Sequence, residues 1–262
     1  MQARQLPAIR GWNWIVEGFR LFRNNPALLT FLVFGYWLTL IFLNLLPLIG
    51  PLVAPLCVPA LSVSVMNGCR LLERRAQDTA GFGLLFSGFQ KNRNVLFLLG
   101  AIYLTASVAV FAATALVDDG ALLRIALTNE KPPEDLMANE QLLLSLQFAL
   151  LLMLPLLMAF WFAPMLSAWN ALSAGKALFF SLVACLRNWR PFLVYGLGVA
   201  FISVLLPGAL LGVVEAFSPA LQRMMVIALS LPLLFVFVPT LFASFYVSYR
   251  DVFVAAAEPG DG

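Results

Sequence analysis

Six stretches of this 262-residue chain run without a single Asp, Glu, Lys or Arg: roughly 26–47, 50–69, 95–117, 141–166, 191–213 and 224–248. A helix rises about 1.5 Å per residue, so about 20 apolar residues cross the roughly 30 Å of hydrocarbon in a bilayer. No water reaches backbone N–H and C=O groups there, and each stretch must satisfy its own as a helix. The chain therefore reads as an all-α, polytopic membrane protein with six transmembrane helices. Composition argues against a soluble globule, because 62% of the residues are hydrophobic and 11% charged, against about 45–50% and about 25% in soluble domains. That is more apolar surface than a chain of this size can hide from water.

The first two runs are separated by "LPLIGP", where Pro47, Gly50 and Pro51 break a helix and permit a tight turn. Direction across the membrane follows from Lys and Arg, which are in excess on cytoplasmic flanks. With six spans both termini share a side, and that side would hold 13 of the 16 basic residues, leaving Arg124, Lys131 and Arg223 opposite. Both termini are therefore expected in the cytoplasm. The loop 118–140 carries six acidic residues against Arg124 and Lys131 and includes "NEKPPED", whose paired prolines disfavour a continuous helix. It is expected outside, as a polar cap. The first residues, "MQARQLPAIRGWNW", lack an apolar core and a small-residue cleavage site, so the first span is expected to act as its own uncleaved insertion signal.

Three stretches align: "WIVEGFRLFRNNPALLTFLVFG", "GFGLLFSGFQKNRNVLFLLGAI" and "KALFFSLVACLRNWRPFLVYGLG". Each has an aromatic-rich approach, then a basic residue followed by Asn (Arg23-Asn24, Lys91-Asn92, Arg187-Asn188), then a span. Pro26 and Pro191 begin their spans in the first turn, where a missing N–H costs least. The approaches read as amphipathic helices lying in the membrane interface. In the first, Trp12, Ile15, Val16, Phe19 and Phe22 share one side, with Asn13, Glu17 and Arg20 opposite. Phe82, Leu85, Phe86 and Phe89 repeat the spacing in the second, whereas the opposite side of the third is hardly polar. A second landmark follows, in "VPALSVSVMNGCR", "APMLSAWNALSAGK" and "VPTLFASFYVSYR", each a Pro-x-Leu leading to a basic end. Together they suggest a single membrane domain, 1–262, built from three parallel hairpin repeats, 11–75, 80–176 and 177–252, each preceded by an interfacial helix. The alternative is that apolar helices with basic flanks resemble one another because a membrane demands it.

Little in the chain carries chemistry. Without any His, imidazole proton relays, His-based metal sites and Ser-His triads are excluded. Cys57, Cys69 and Cys185 form no CxxC pair and read as small apolar side chains. No Lys/Arg-rich tract with interleaved aromatics points to nucleic acid, despite a formal charge of +3. No ionisable residue lies near a span centre, where one would mark a functional site. We therefore assign no catalytic, cofactor-binding or metal-binding residue and expect no cofactor. Asn44, Asn67, Gln147 and Asn170 either line a polar path or hydrogen-bond between helices. Pro59, Pro164 and Pro239 each remove an intrahelical hydrogen bond, and serve either as hinges or as static bends. Gly196, Gly198, Gly208 and Gly212 read as a close-packing surface of the fifth span. Trp12, Trp14, Trp169 and Trp189, with Arg23, Lys91 and Arg187, read as interfacial anchors.

The repeated hairpins, the F-x-x-F-R/K-N approaches and the P-x-L turns resemble a loose group of bacterial inner-membrane proteins of unknown function. The group includes the YciC-like proteins and the membrane domain attached to some glycerophosphodiester phosphodiesterases. The resemblance implies a six-span helical bundle with interfacial helices in the bacterial inner (plasma) membrane. Nothing like the phosphodiesterase catalytic domain is present, so that activity does not carry over. The expected function is a non-enzymatic integral membrane protein that organises lipid or a membrane-protein partner; the alternative is a transporter or channel for a small solute.

Overall fold

The computed structural model describes residues 3–47, 49–74, 81–128 and 140–253, and every regular element among them is helical. In chain order these are α1 (Arg10–Asn24), α2 (Pro26–Asn44), α3 (Gly50–Glu73), α4 (Phe82–Leu85), a 3-10 turn (Ser87–Phe89), α5 (Arg93–Asp118) and α6 (Ala121–Thr128). There follow α7 (Glu140–Trp161), α8 (Ala163–Asn170), α9 (Ala174–Arg187), α10 (Trp189–Ala200), α11 (Leu206–Phe217), α12 (Pro219–Pro232) and α13 (Val238–Phe253). Six helical stretches are long and apolar enough to cross a membrane: Pro26–Asn44, Gly50–Glu73, Arg93–Asp118, Glu140–Asn170, Trp189–Phe217 and Pro219–Phe253. Each contains the greater part of one apolar run of the sequence. Lys131, Arg75 and the segment "NEKPPED" lie outside the described residues.

Local chemistry sets the helix ends. The Asn25 side chain accepts the Leu28 N–H at 3.0 Å while Pro26 opens α2, which satisfies one of the orphan donors of a first turn. The residue doing this is Asn25, the neighbour of the Asn24 singled out by the alignment. Asn92 adopts the left-handed conformation, φ 50°, just before α5. At the other end of that helix Asp119 and Gly120 are also left-handed, and the Asp118 carboxylate accepts the Gly120 and Leu122 N–H groups, each at 3.0 Å. That arrangement turns the chain into α6 at the start of the loop expected outside the membrane.

Prolines are accommodated in three different ways. Pro59 lies inside α3 without interrupting it. Pro164 takes the second position of α8, just after a break at Phe162. Pro207 and Pro239 each follow a π-helical turn, Phe201–Leu205 and Leu233–Phe237, in which Leu206 N–H bonds Phe201 O and Val238 N–H bonds Leu233 O. A proline ring collides with the carbonyl four residues back, here Ser203 and Phe235, and both of those lie within the widened turns. The extra residue per turn moves the obstructing carbonyl aside.

The chain divides into two compact units, one formed by 1–42, 60–91 and 183–262 and the other by 43–59 and 92–182. In the first, α1 packs against α10 and α13. Close approach is possible because Gly11 and Gly18 lack side chains: a Cβ at Gly11 would stand 2.0 Å from Pro191 O, and one at Gly18 would stand 2.6 Å from Ser244 N. Gly88 in the 3-10 turn likewise abuts α3, donating its N–H to Ser64 Oγ at 2.9 Å. In the second unit α5 packs along α7, Tyr103 meets Phe160 edge-on, and Asn92 Nδ2 donates to Ser167 O at 2.8 Å.

The glycines expected to form a packing face of the fifth span do not share one. Only Gly198 meets a neighbour, at Ile15 and Trp12, whereas a Cβ at Gly196, Gly208 or Gly212 would find nothing within 4 Å.

Candidate functional site

The charged chemistry among the described residues converges on one place in the first unit. Three acidic and two basic side chains, from α1, the last turn of α3 and the last turn of α13, form a single network. Arg10 binds Asp251 through Nε at 3.0 Å and through Nη2, and reaches Glu17 at 3.0 Å. Arg250 binds Glu17 at 2.5 Å, Glu73 at 2.6 Å and Asp251 at 3.2 Å. Two neutral donors complete it: Trp14 Nε1 donates to Asp251 at 3.0 Å, and the Tyr246 hydroxyl donates to Glu73.

Amphipathicity places these groups. Helix α1 has three sides rather than two. Gly11, Trp14, Ile15, Gly18, Leu21 and Phe22 are buried; Arg10, Asn13 and Glu17 line the polar side; Trp12 and Phe19, with Ile9 just before the helix, are exposed. Burial alone would hold the Arg10 guanidinium below its ordinary value, but Asp251 and then Glu17 more than reverse this and raise it. A folded-state value above the unfolded one gives stabilisation that is complete below the unfolded value and is lost only as pH rises past it, so Arg10 stays charged at any physiological pH. Both arginines are shared among three carboxylates, so each carboxylate has an arginine partner. The arrangement is suited to clasping three helices.

A second clamp lies in the same unit. Asn188 is fully buried; its Oδ1 accepts Leu6 N–H, and its Nδ2 donates to Arg4 O and Ala184 O, each at 2.9 Å. With Arg4 N–H bonded to Val252 O at 3.0 Å, the segment preceding α1 is tied to both α9 and α13. The Asn that follows Arg187 is thus a structural fastener.

The residues singled out in the sequence fall as follows. Trp12, Arg23, Lys91, Arg187 and Trp189 are all exposed. Trp14 is the correction: its side chain is wholly enclosed, edge-on to Phe192 and Tyr195, with its N–H on Asp251. An indole so placed is satisfied by protein and has no access to a headgroup layer. Asn67 donates to Ser87 Oγ at 2.9 Å, a bond between helix and turn. The prolines 59, 164 and 239 occupy the three distinct backbone settings described above. Sequence reasoning missed Glu73, Tyr246 and Asp251, which flank or end apolar runs; the available signal was that buried Trp and Tyr require partners for their polar atoms.

Six membrane-length helices, apolar side chains exposed along them and charges gathered at their ends define a polytopic integral membrane protein. The chain is 34% identical over 268 residues to a probable inner membrane protein of Burkholderia thailandensis, an alignment spanning 99% of this chain and 96% of that one. It belongs to that family, and this likeness together with its own six candidate spans makes it a multi-pass protein of the inner membrane. No family model matches the chain, and no solved structure matches it.

Proposed function

We propose that this is a non-enzymatic inner-membrane protein that organises lipid or a membrane partner, with both termini cytoplasmic. The observation that carries the reading is the contrast between the internally paired clasp and the apolar helix surfaces. Leu150, Leu154, Leu197, Val204 and Ile227 are more than half exposed, so the spans present hydrocarbon outward and hold no charged group at mid-depth. Crosslinking in cells tests it: reproducible capture of one protein partner or of ordered lipid is expected, and capture of neither would remove its support.

The threefold repeat forms part of this proposal, and the packing supports it. The turn Ser87–Phe89 rests on α3 through Gly88 and Ser64, and α9 rests on α7 through Ser181. Helix α1, with no repeat before it, rests on α13 through Gly18 and Ser244. Each approach thus packs on the proline-bearing span of the repeat before it, the first on the last. Gly18-Phe19 matches Gly88-Phe89, and Ser64 and Ser244 both stand five residues beyond Pro59 and Pro239.

The backbone irregularities favour a second reading, transport of a small solute. The break at Phe162 and the two π turns are the sort of interruption that movable spans carry. Alanine at Pro59, Pro164 and Pro239 would then reduce flux in proteoliposomes without reducing expression, and unchanged flux counts against it.

A further inference from the structure

We infer that the junctions between approach segments and spans bind anionic phospholipid, an inference that rests on the lipid-organising reading and names the lipid class. Arg20, Arg23, Lys91, Arg187 and Arg190 all lie at these junctions and are all exposed. Among the described residues none of the five takes part in an ion pair, and the carboxylates of the clasp, Glu17, Glu73 and Asp251, are paired with Arg10 and Arg250. Arg10 and Arg250 on the one hand and these five residues on the other thus form two classes of cation. One class is neutralised within the protein, and the other is left for a counter-charge from outside.

The surroundings of the second class identify that counter-charge. Exposed aromatic side chains accompany every junction: Trp12 and Phe19 on α1, Phe82 and Phe86 before Lys91, and Trp189 between Arg187 and Arg190. At two junctions the guanidinium lies against the ring, with Arg23 Cζ 6.0 Å from the Phe19 centroid and Arg190 Cζ 5.4 Å from that of Trp189. An exposed ring beside an exposed guanidinium suits the boundary between acyl chain and phosphate, with the ring at the level of the glycerol and the cation among phosphates. Water-soluble phosphate would use the cations and leave the rings unpartnered; a phospholipid uses both. A zwitterionic headgroup brings its own ammonium to each phosphate, so the uncompensated positive charge favours a lipid with net negative charge.

The test is electron spin resonance on the full chain reconstituted in phosphatidylcholine bilayers containing a trace of spin-labelled phosphatidylglycerol or spin-labelled phosphatidylcholine. The wild type should hold the anionic probe severalfold more strongly than the zwitterionic one. In the combined Arg23→Gln, Arg190→Gln variant that preference should fall most of the way towards equality of the two probes, with the phosphatidylcholine signal unchanged, and Arg23→Lys with Arg190→Lys should retain most of it. Equal association of the two probes with the wild type overturns the inference without reference to any variant. So does an unchanged preference in the glutamine variant, or displacement of the lipid probe by inorganic phosphate at constant ionic strength. Crosslinking in cells that still captures a partner while the probes bind equally would overturn this inference alone and leave the broader reading standing.

Discussion

Ser181 is fully buried on α9, and its hydroxyl accepts the Phe162 N–H at 2.9 Å while donating to Met158 O at 2.8 Å. In an unbroken helix Phe162 N–H would bond Met158 O directly, so a side chain from another helix has been inserted into the ladder, one of the few causes of a sharp helix break. The insertion also suits Pro164, whose ring would otherwise press on the carbonyl of Phe160. Ser181→Ala leaves a buried donor and a buried acceptor without this bridge, and we expect it to lower unfolding stability by about 1–3 kcal/mol, measured by thermal or denaturant unfolding in detergent. Unchanged stability would show that the ladder closes on itself and that the hydroxyl does not hold the break. Pro164 was legible as a disturbance of its span. Ser181 was not, because nothing local to a serine within "LFFSLVACL" says which helix will face it.

At the scale of elements, two glycine sets with the same look in sequence behave oppositely. Gly11 and Gly18 lie where α1 crosses α10 and α13 at backbone contact, whereas Gly208 and Gly212 face open space. Gly18→Ala should force α1 away from Ser244 and cost about 1–3 kcal/mol, while Gly208→Ala should be neutral or slightly stabilising through better helix propensity. Parallel unfolding of the two variants decides it, and equal effects would contradict the packing described. The six spans were legible because a run of about 20 uncharged residues has few alternatives in a bilayer. Their irregularities were only half legible. Pro239 announced one, but the π turns before Pro207 and Pro239 arise from how the backbone absorbs a missing N–H, and Pro59 in α3 is absorbed with no interruption at all.

For the whole molecule, the distribution of Lys and Arg makes a directional claim. A reporter fused to either terminus should be active in the cytoplasm, and a cysteine placed in the 118–140 loop should react with an impermeant reagent applied outside intact cells. A terminus labelled from outside would reverse the topology. The apolar runs, helical class, number of spans and expected direction follow from the sequence alone, because the bilayer acts on each segment separately: hydrocarbon requires length and apolarity, and basic flanks resist translocation. The fate of individual polar groups does not follow. Glu17, Glu73 and Asp251 are far apart in the chain, and only tertiary packing brings them around Arg10 and Arg250. The same packing encloses Trp14 while leaving Trp12 exposed two residues away. Which side chains are compensated inside the protein and which are left to meet the membrane depends on contacts between distant segments, and the tertiary structure decides it.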